Sequence, residues 1–324
     1  MKILVAFTGG TIGSVRSKSG IGTNADATKS LIDMYEKSGG KAELVTVQPY
    51  NILSENLSGK NLFVLYECIS SRLDDEVDGV VVTCGTDTLQ YTCAYLSYSF
   101  GLCSKPIVAV SANYPLEDKR SNGWANFCAA VDFVENNRGN GVFAAYQNDG
   151  ESTKLHRASR LLPHLPYSDR AESVLNSVYG EYSDGCFVPN LSFSQREDSN
   201  EFLPKLDLGE SSRVLYVQPT VGMSYPILTD KTKAVLLATY HSGTLNTADG
   251  RLKEFCTFAK SSGVPVFLTG EAEGFEYESK NALRELDVHI LPTASPVAMY
   301  VKLWLTGGRA EDMYKPFGGD FIGE

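Results

Sequence analysis

The chain has 324 residues, of which 43% are hydrophobic and 21% charged, a composition typical of a globular protein long enough for two domains. Its formal net charge is -10 and it contains no run of Lys and Arg, which argues against binding to a nucleic-acid backbone. No apolar run approaches the roughly 20 residues that a membrane span needs. Residues 1–7 leave no room for a signal-peptide core. We therefore expect a cytoplasmic protein with neither membrane nor nucleic-acid partners.

The cysteines and histidines do not form a recognisable metal or disulfide pattern. The chain has seven cysteines, an odd number, and no CxxC motif, so neither a disulfide framework nor a zinc site is predicted. Its four histidines form no HxxxH or HExxH motif. We expect reduced, mostly buried thiols and no metal or other cofactor.

In the first half of the chain, short apolar runs alternate with helical patterns. The runs are rich in Val, Ile and Leu without clean alternation, as expected when both faces of a parallel sheet are covered. The pattern predicts an α/β fold with a doubly wound, mostly parallel sheet and right-handed crossovers over residues 1–190. The strands are predicted at 3–7, 42–47, 79–83, 106–110 and 142–145, and the helices at 24–38, 57–73, 88–100 and 122–138.

A polar stretch over residues 191–212 is the predicted linker to a second domain. After it the alternation resumes, and this predicts a smaller α/β domain over residues 213–324. Strands are predicted there at 213–218, 234–240 and 264–268, and helices at 247–261, 276–287 and 294–306.

A glycine-rich turn, TGGTIG at residues 8–13, directly follows the first predicted strand. Ligands of open α/β sheets bind beyond the carboxyl ends of the strands, where a Gly-Gly turn lets the backbone approach them closely. The spacing fits neither GxGxxG nor GxxxxGK[ST], so both phosphate-binding motifs fail. The hydroxyl of Thr11 remains as a candidate, although a threonine after a strand usually only caps or turns the chain.

A second turn, GTDT at residues 85–88, follows another predicted strand. One interpretation is structural, with Thr86, Asp87 or Thr88 as the cap of the next helix. Further on, Thr153 and Lys154 follow the turn after the strand at 142–145. This lysine is by default a solvated charge, but close to Thr86 it would lower the proton affinity of the hydroxyl or accept its proton. Two hydroxyl-bearing turns at one sheet edge favour a catalytic site.

These motifs together resemble the bacterial-type L-asparaginase/glutaminase family over nearly the whole chain. The motifs are TGGTIG at 8–13, SENL at 54–57, GTDT at 85–88 and TK at 153–154. The segment RSKSG at 16–20 is most similar to the cytoplasmic, type I branch. The resemblance implies an amidohydrolase that cleaves the side-chain amide of L-asparagine, glutamine or a related amide to the acid and ammonia.

The resemblance also implies roles for the residues that carry chemistry. Thr11 would attack the carboxamide and carry the acyl group as an ester. Thr86, Asp87 and Lys154 would form a second polar group that activates a nucleophile or water. Backbone N–H groups around Thr86 would stabilise the oxyanion, which is often the largest single contribution to acyl-transfer catalysis.

Further residues are implied in holding the substrate. Ser54 would bind its α-carboxylate, while Glu55 and the aspartate of the GTDT turn would bind its α-amino group. Gly10 and Gly85 belong to the turns that face the substrate, and the backbone at Ala112 would face the leaving amide. The family also builds its sites between subunits, so the resemblance implies a homodimer or homotetramer in which a neighbouring chain completes each site.

One departure from the family pattern leaves several functions open. Ile21 stands where the family has a loop tyrosine beside the first threonine, and isoleucine cannot relay a proton. Tyr240 or Tyr277 would have to replace it, or the substrate differs, or hydrolysis has been lost. Besides a hydrolase, we therefore consider an asparaginase-fold amino-acid-binding protein. The amidase component of a tRNA-dependent amidotransferase ranks lower, because that component usually carries an extra amino-terminal domain and this chain begins on the first strand.

Overall fold

The computed structural model describes residues 1–17, 20–23, 25–183, 185–207, 213–270 and 277–323, with the side chains of 13–28 outside the description. The chain divides into two compact units, Met1–Phe193 and Ser194–Glu324. The linker predicted at 191–212 does not coincide with the boundary between these units, because residues 194–205 pack within the second unit. The Arg196 N–H donates to the Phe321 carbonyl at 3.2 Å, and the Phe202 ring lies 4.8 Å from that of Phe317. Residues 208–212 lie outside the described part, and independent domains stay a prediction.

The first unit is built on one eight-stranded sheet in the order β10-β9-β8-β7-β6-β5-β1-β4. Its elements are β1 (Lys2–Phe7), β2 (Ser14–Ser17), β3 (Gly20–Thr23), α1 (Ala25–Lys37), β4 (Glu43–Val47), α2 (Gly59–Ser70), β5 (Gly79–Thr83), α3 (Leu89–Phe100), β6 (Pro106–Val110), α4 (Gly123–Glu135), β7 (Gly141–Gln147), β8 (Thr153–Arg157), β9 (Gly180–Ser183) and β10 (Cys186–Pro189). Strands β4, β1, β5, β6 and β7 are parallel, while β8, β9 and β10 add antiparallel neighbours. The predicted doubly wound, mostly parallel sheet is confirmed.

Alternate strand residues pack against helices on opposite faces of this sheet. Helices α1 and α4 share one core with Ile3, Val5 and the other residues of that face, and α2 and α3 share the second core with Leu4 and Ala6. This two-sided burial explains why the strand sequences lack polar alternation. The chain therefore leaves β1 and β5, which are neighbours, toward opposite faces, and this is the topological switch point of the sheet.

The crossover from β6 through α4 to β7 has the opposite hand to the preceding ones. The chain moves in the same direction along the sheet from β5 to β6 and from β6 to β7, but α3 and α4 cover opposite faces. The expectation of uniformly right-handed crossovers is therefore wrong for β6–α4–β7. Right-handed connections make up roughly 98% of such units, so this crossover is an uncommon feature of the sheet.

The segment after the TGG turn, where the family resemblance implies a loop, contains an antiparallel pair of strands, β2 and β3. Arg16 pairs with Ile21 in this hairpin. The side chain of Ile21 lies outside the described part of the structure, so the expectation about its chemistry stays a prediction.

The second unit is smaller and of the α/β type, as predicted, and its strands form a four-stranded parallel sheet. The sequence predicted three of these strands and missed the short strand His289–Ile290. Its elements are β11 (Val214–Val217), β12 (Ala234–Ala238), α5 (Arg251–Ser261), β13 (Val266–Thr269), α6 (Glu278–Glu285), β14 (His289–Ile290) and α7 (Pro296–Thr306). Helix α7 starts where Ser295 accepts a hydrogen bond from the Ala298 N–H and ends at Gly307, which has a φ of 63°. Across the described residues, no helix is long and apolar enough to cross a membrane.

Candidate active site at the carboxyl edge of the first sheet

The turns after β1 and β5 meet at the switch point of the sheet. Gly10 has a φ of 74°, and a Cβ placed on it would lie 2.4 Å from both Cα and N of Gly85. Gly9, with a φ of 99°, is equally close to the backbone of Ile52. Because the nearest neighbours of Gly10 are backbone atoms, no side-chain movement would relieve a substitution there. The paired glycines therefore allow the two predicted motifs to touch.

The 54–57 motif lies against the same turns. The Gly10 N–H donates to the Ile52 carbonyl at 3.0 Å, which fixes the chain just before Ser54. A Cβ on Gly85 would lie 2.4 Å from the Cβ of Ser54, so Ser54 packs directly on the second glycine turn. Its hydroxyl donates to Oδ2 of Asp87 at 2.8 Å. Ser54 and Asp87, predicted to bind opposite ends of an amino acid, are thus in direct contact.

The hydroxyls of the GTDT turn do not act as a simple helix cap. Helix α3 begins at Leu89, and its N-cap residue Thr88 makes no side-chain capping bond. Instead, the Thr88 hydroxyl donates to the Ser54 carbonyl at 3.3 Å. The Thr86 hydroxyl donates to the carbonyl of Ala112, after β6, at 2.9 Å. The structural alternative weighed from the sequence is therefore not what these side chains do, since they join three strand ends.

Cys84 immediately precedes this turn and is the nearest thiol to it in the sequence. Its side chain is buried, and burial raises the pKa of the thiol to about 12. A thiol in this state carries almost no thiolate at neutral pH, and the thiolate is the nucleophilic form. The hydroxyls of the neighbouring turns are therefore better placed for nucleophilic chemistry than this cysteine.

Lys154 lies on β8 and forms an ion pair that the sequence did not reveal. Its Nζ lies 2.5 Å from Oε2 of Glu151, while Nη2 of Arg170 lies 2.6 Å from the other carboxylate oxygen. Hydrogen bonds from Lys154 and Arg170 lower the pKa of Glu151 to about 2. Lys154 is therefore half-buried and held in an ion pair with Glu151, rather than freely solvated.

The remaining predicted residues lie in short turns or in the second unit. Thr11 lies in a short 3₁₀ turn, Thr11–Gly13, and is half-buried. Glu55 is exposed within the turn Ser54–Asn56. Tyr240 and Tyr277, considered as substitutes for the missing tyrosine, both belong to the second unit. Among the described residues, no group of three or more His, Cys, Asp or Glu side chains is arranged to hold a metal ion.

Sequence reasoning missed three side chains near Lys154: Tyr146, His156 and His164. Tyr146 lies opposite Lys154 in the β7–β8 pair, and its ring lies 5.7 Å from that of His164. Nδ1 of His156 lies 2.8 Å from the Ser173 hydroxyl, and burial lowers the pKa of this imidazole to about 3. None of the three belongs to a motif, so only the fold brings them together.

Comparison with known proteins agrees with the motifs. The family model described as "Asparaginase, N-terminal" matches residues 2–162, which include every predicted site residue. L-asparaginase 1 of Escherichia coli (strain K12) is 32% identical over 161 residues, which are 49% of this chain and 46% of that protein. Through this half, which carries the motifs, the chain belongs to the asparaginase/glutaminase family.

A second relative is named for a different function. One component of the Glutamyl-tRNA(Gln) amidotransferase of Thermoplasma acidophilum is 29% identical over 247 residues, 74% of this chain and 58% of that protein. This chain thus spans less than two thirds of either relative. The solved structure of L-asparaginase I from Vibrio cholerae has a TM-score of 0.79 at 23% identity, covering 99% of this chain and 98% of that one. This likeness extends the shared fold to the second unit.

Proposed function

We propose that this protein is an amidohydrolase that cleaves the side-chain amide of L-asparagine or a close analogue through a threonine ester. The observation that carries the proposal is the contact between Ser54 and Asp87 beside the Gly10–Gly85 approach, at the switch point of the sheet. Open α/β sheets bind their ligands there. A hydroxyl and a carboxylate held together suit the two charged groups of a free amino acid.

The binding step follows from the charges of these side chains. The carboxylate of Asp87 attracts the substrate ammonium group, and the hydroxyl of Ser54 donates to the substrate α-carboxylate. In the free protein, the single hydroxyl hydrogen of Ser54 is donated to Asp87 at 2.8 Å, which orients both groups. On binding, the hydroxyl would turn this hydrogen to the substrate α-carboxylate while the substrate ammonium group takes its place at Asp87. Glu55 would add a second negative charge toward the ammonium group, while Gly10 and Gly85 let the substrate approach the backbone. Such preorganisation lowers the ordering cost of binding.

The chemical step needs a nucleophile and a group that handles protons. Thr11 attacks the carboxamide carbon, the amide nitrogen leaves as ammonia after it gains a proton, and water then hydrolyses the ester. The Thr86 hydroxyl gives its hydrogen to the Ala112 carbonyl, so its oxygen can accept a hydrogen bond from water. Lys154, held by Glu151, supplies positive charge where negative charge develops.

Ile21 determines how fast this chemistry runs in our proposal. General base catalysis contributes roughly 100- to 10,000-fold, and an isoleucine supplies none of it. We therefore expect slow turnover relative to relatives that carry the tyrosine. The limiting case is an amino-acid-binding protein that retains Ser54 and Asp87 but releases little or no ammonia.

A second candidate is the ammonia-producing component of a tRNA-dependent amidotransferase. The match over 74% of the chain to a component of a Glutamyl-tRNA(Gln) amidotransferase favours it. Such a component would use glutamine rather than asparagine and would release ammonia to a partner. A homodimer or homotetramer, sites completed by a neighbouring chain, and a cytoplasmic location all stay predictions.

One experiment separates these candidates. Purified protein is incubated with asparagine, glutamine and other side-chain amides while ammonia is measured, and binding of L-aspartate and L-glutamate is followed by calorimetry. The proposal predicts ammonia from asparagine and its loss in Asp87→Asn. Activity on glutamine alone favours the amidotransferase component. Aspartate binding without ammonia from any amide favours the binding protein and refutes the hydrolase.

A further inference from the structure

The side chain of Asn122 joins the carboxyl ends of two neighbouring strands, β6 and β7. Beyond β6, the Asn113 N–H donates to Oδ1 of Asn122 at 2.9 Å, and the Asn122 N–H donates to Oδ1 of Asn113 at 3.0 Å. On the other side, Nδ2 of Asn122 donates to the carbonyl of Gln147, the last residue of β7, at 2.8 Å. One buried amide therefore connects the chain that leaves β6 with the end of β7.

Asn122 stands at the N-cap position of α4, but its side chain does not cap this helix. Asparagine at an N-cap usually accepts a hydrogen bond from an N–H of the first helical turn, whereas the Asn122 side chain makes no such bond. The helix nevertheless packs on the chain beyond β6, since a Cβ placed on Gly123 would lie 2.8 Å from the Cβ of Ala112. The side-chain hydrogen bonds of Asn122 therefore stabilise the two strand ends and not the helix.

The connection reaches Thr86 through the chain beyond β6. Ala112 directly precedes the asparagine that is bonded to Asn122, and its carbonyl accepts a hydrogen bond from the Thr86 hydroxyl at 2.9 Å. A hydroxyl has a single hydrogen, so the direction of this bond decides where the lone pairs of the oxygen point. The position of the Ala112 carbonyl therefore orients the Thr86 hydroxyl.

The connection reaches Lys154 through the β7–β8 hairpin. Nε2 of Gln147 donates to the carbonyl of Glu151 at 3.1 Å. The carboxylate of Glu151 in turn lies 2.5 Å from Nζ of Lys154. The end of β7 thus supports the turn that holds the lysine, and Asn122 fixes this end through the Gln147 carbonyl.

A second asparagine of α4, Asn126, joins the same two strand ends. Its Nδ2 donates to the carbonyl of Ser111, directly after β6, at 2.9 Å, and its Oδ1 accepts from the Gln147 N–H at 2.7 Å. Because Asn126 holds β6 and β7 together independently, the sheet edge should remain formed when Asn122 is replaced. What Asn122 alone of the two holds is the following segment, 112–113, on which the Thr86 hydroxyl depends.

We propose that Asn122 is a positioning residue that holds Thr86 and Lys154 in one catalytic arrangement. The proposal rests on the proposed function in taking these two groups as the ones that act on water and on developing charge. Asn122 acts on both through other residues and does not itself take part in the chemistry. The amino-acid-binding pair is held separately, by the bond between Ser54 and Asp87. Loss of Asn122 should therefore slow the chemical step and leave substrate affinity nearly unchanged.

Turnover is measured in Asn122→Ala and in Gln147→Met, whose side chain has a similar length but cannot donate a hydrogen bond. Asn190→Ala is the matched control. Nδ2 of Asn190 donates to the Val178 carbonyl at 2.9 Å, and its Oδ1 accepts from the Ser192 N–H at 3.0 Å. The control therefore loses the same two kinds of hydrogen bond outside the connection.

Asn122→Ala and Gln147→Met should each lower kcat for ammonia release by about 10- to 100-fold, because small displacements are costly in a catalytic arrangement. KM and the affinity for L-aspartate should stay close to the wild-type values, and Asn190→Ala should match the wild type throughout. The double variant should lose no more than the larger single loss, since both substitutions break one connection. An unchanged kcat in Asn122→Ala, an equal loss of affinity and kcat, or single losses that multiply in the double variant overturns the inference.

The connection itself is tested without turnover, by hydrogen exchange of backbone N–H groups followed by NMR. Asn122→Ala removes the acceptor of the Asn113 N–H, which should exchange about tenfold faster or more. If Asn122 connects the two sides, exchange should also become faster over residues 147–154. Faster exchange confined to Asn113 overturns the inference. If the wild type releases no ammonia from any amide, the proposed function fails, while faster exchange on both sides still supports the connection through Asn122.

Discussion

Replacing Gly10 with alanine tests whether the two glycine turns must touch for the site to work. The new Cβ would lie 2.4 Å from Gly85 backbone atoms, whereas unbonded carbons approach to about 3.5 Å. The turns must therefore separate by about 1 Å, and a misplacement of about 1 Å can cost roughly 100-fold in rate. The left-handed conformation at Gly10 adds about 1–2 kcal/mol of backbone strain for alanine.

Gly39→Ala is the matched control for Gly10→Ala. Gly39 has a φ of 87° and nothing within 4 Å of a Cβ, so its substitution carries the backbone strain without the collision. Gly39→Ala should lose about 1–2 kcal/mol of unfolding free energy in urea titrations. Gly10→Ala should lose more than this, because the collision with Gly85 adds to the same backbone strain. Only Gly10→Ala should also lose about 100-fold in ammonia release and in aspartate affinity. The reasoning is refuted if Gly10→Ala keeps wild-type activity, or if Gly39→Ala loses as much.

Two further predictions concern Ile21 and Glu151. Ile21→Tyr should raise ammonia release from asparagine by about 100-fold or more, since it supplies the missing proton relay. If the wild type is already fast and this substitution slows it, another residue carries out the proton transfer. The pKa of Glu151 is about 2 in the folded chain, below the roughly 4.3 of an unfolded glutamate. The ion pairs of Glu151 therefore stabilise the fold at neutral pH. This stabilisation is lost as the pH falls from about 4 toward 2, because the carboxylate becomes protonated. Glu151→Gln should therefore lower the unfolding free energy at pH 7 by about 1–2 kcal/mol after allowance for partial exposure, and the difference from the wild type should be smaller at pH 3. The exposed residue Glu117 provides the control variant Glu117→Gln. A loss of stability in Glu151→Gln that does not depend on pH, or an equally large loss in Glu117→Gln, contradicts this prediction.

The parallel core of the first sheet was predictable because its strands are short apolar runs buried on both faces. Strand β8 was not, because its sequence TKLHR is largely polar and pairs with β7 only through a tight hairpin. For the same reason, Lys154 was treated by default as a solvated charge. Its partner Glu151 lies three residues away, but nothing in the sequence indicates that the turn brings the two charges together.

The candidate site was predictable where a motif follows a strand, and not where it depends on long-range packing. Ser54 and Asp87 are separated by 33 positions, yet both stand in motifs whose strand ends meet at one edge. His164 is a single histidine in a loop, and only the packing of Tyr146 against it reveals its neighbourhood. The hand of the β6–α4–β7 crossover likewise depends on which core α4 joins, which the strand and helix pattern does not encode.

The most direct test of the account is ammonia release from L-asparagine by the wild type beside Thr11→Ala, with each protein checked for folding by circular dichroism. We predict measurable release by the wild type and a loss of at least about 1,000-fold in the variant, as expected when a nucleophile is removed. Near-equal release by the two proteins would contradict the assignment of Thr11, and no release by a folded wild type from any amide would contradict the proposed hydrolysis itself.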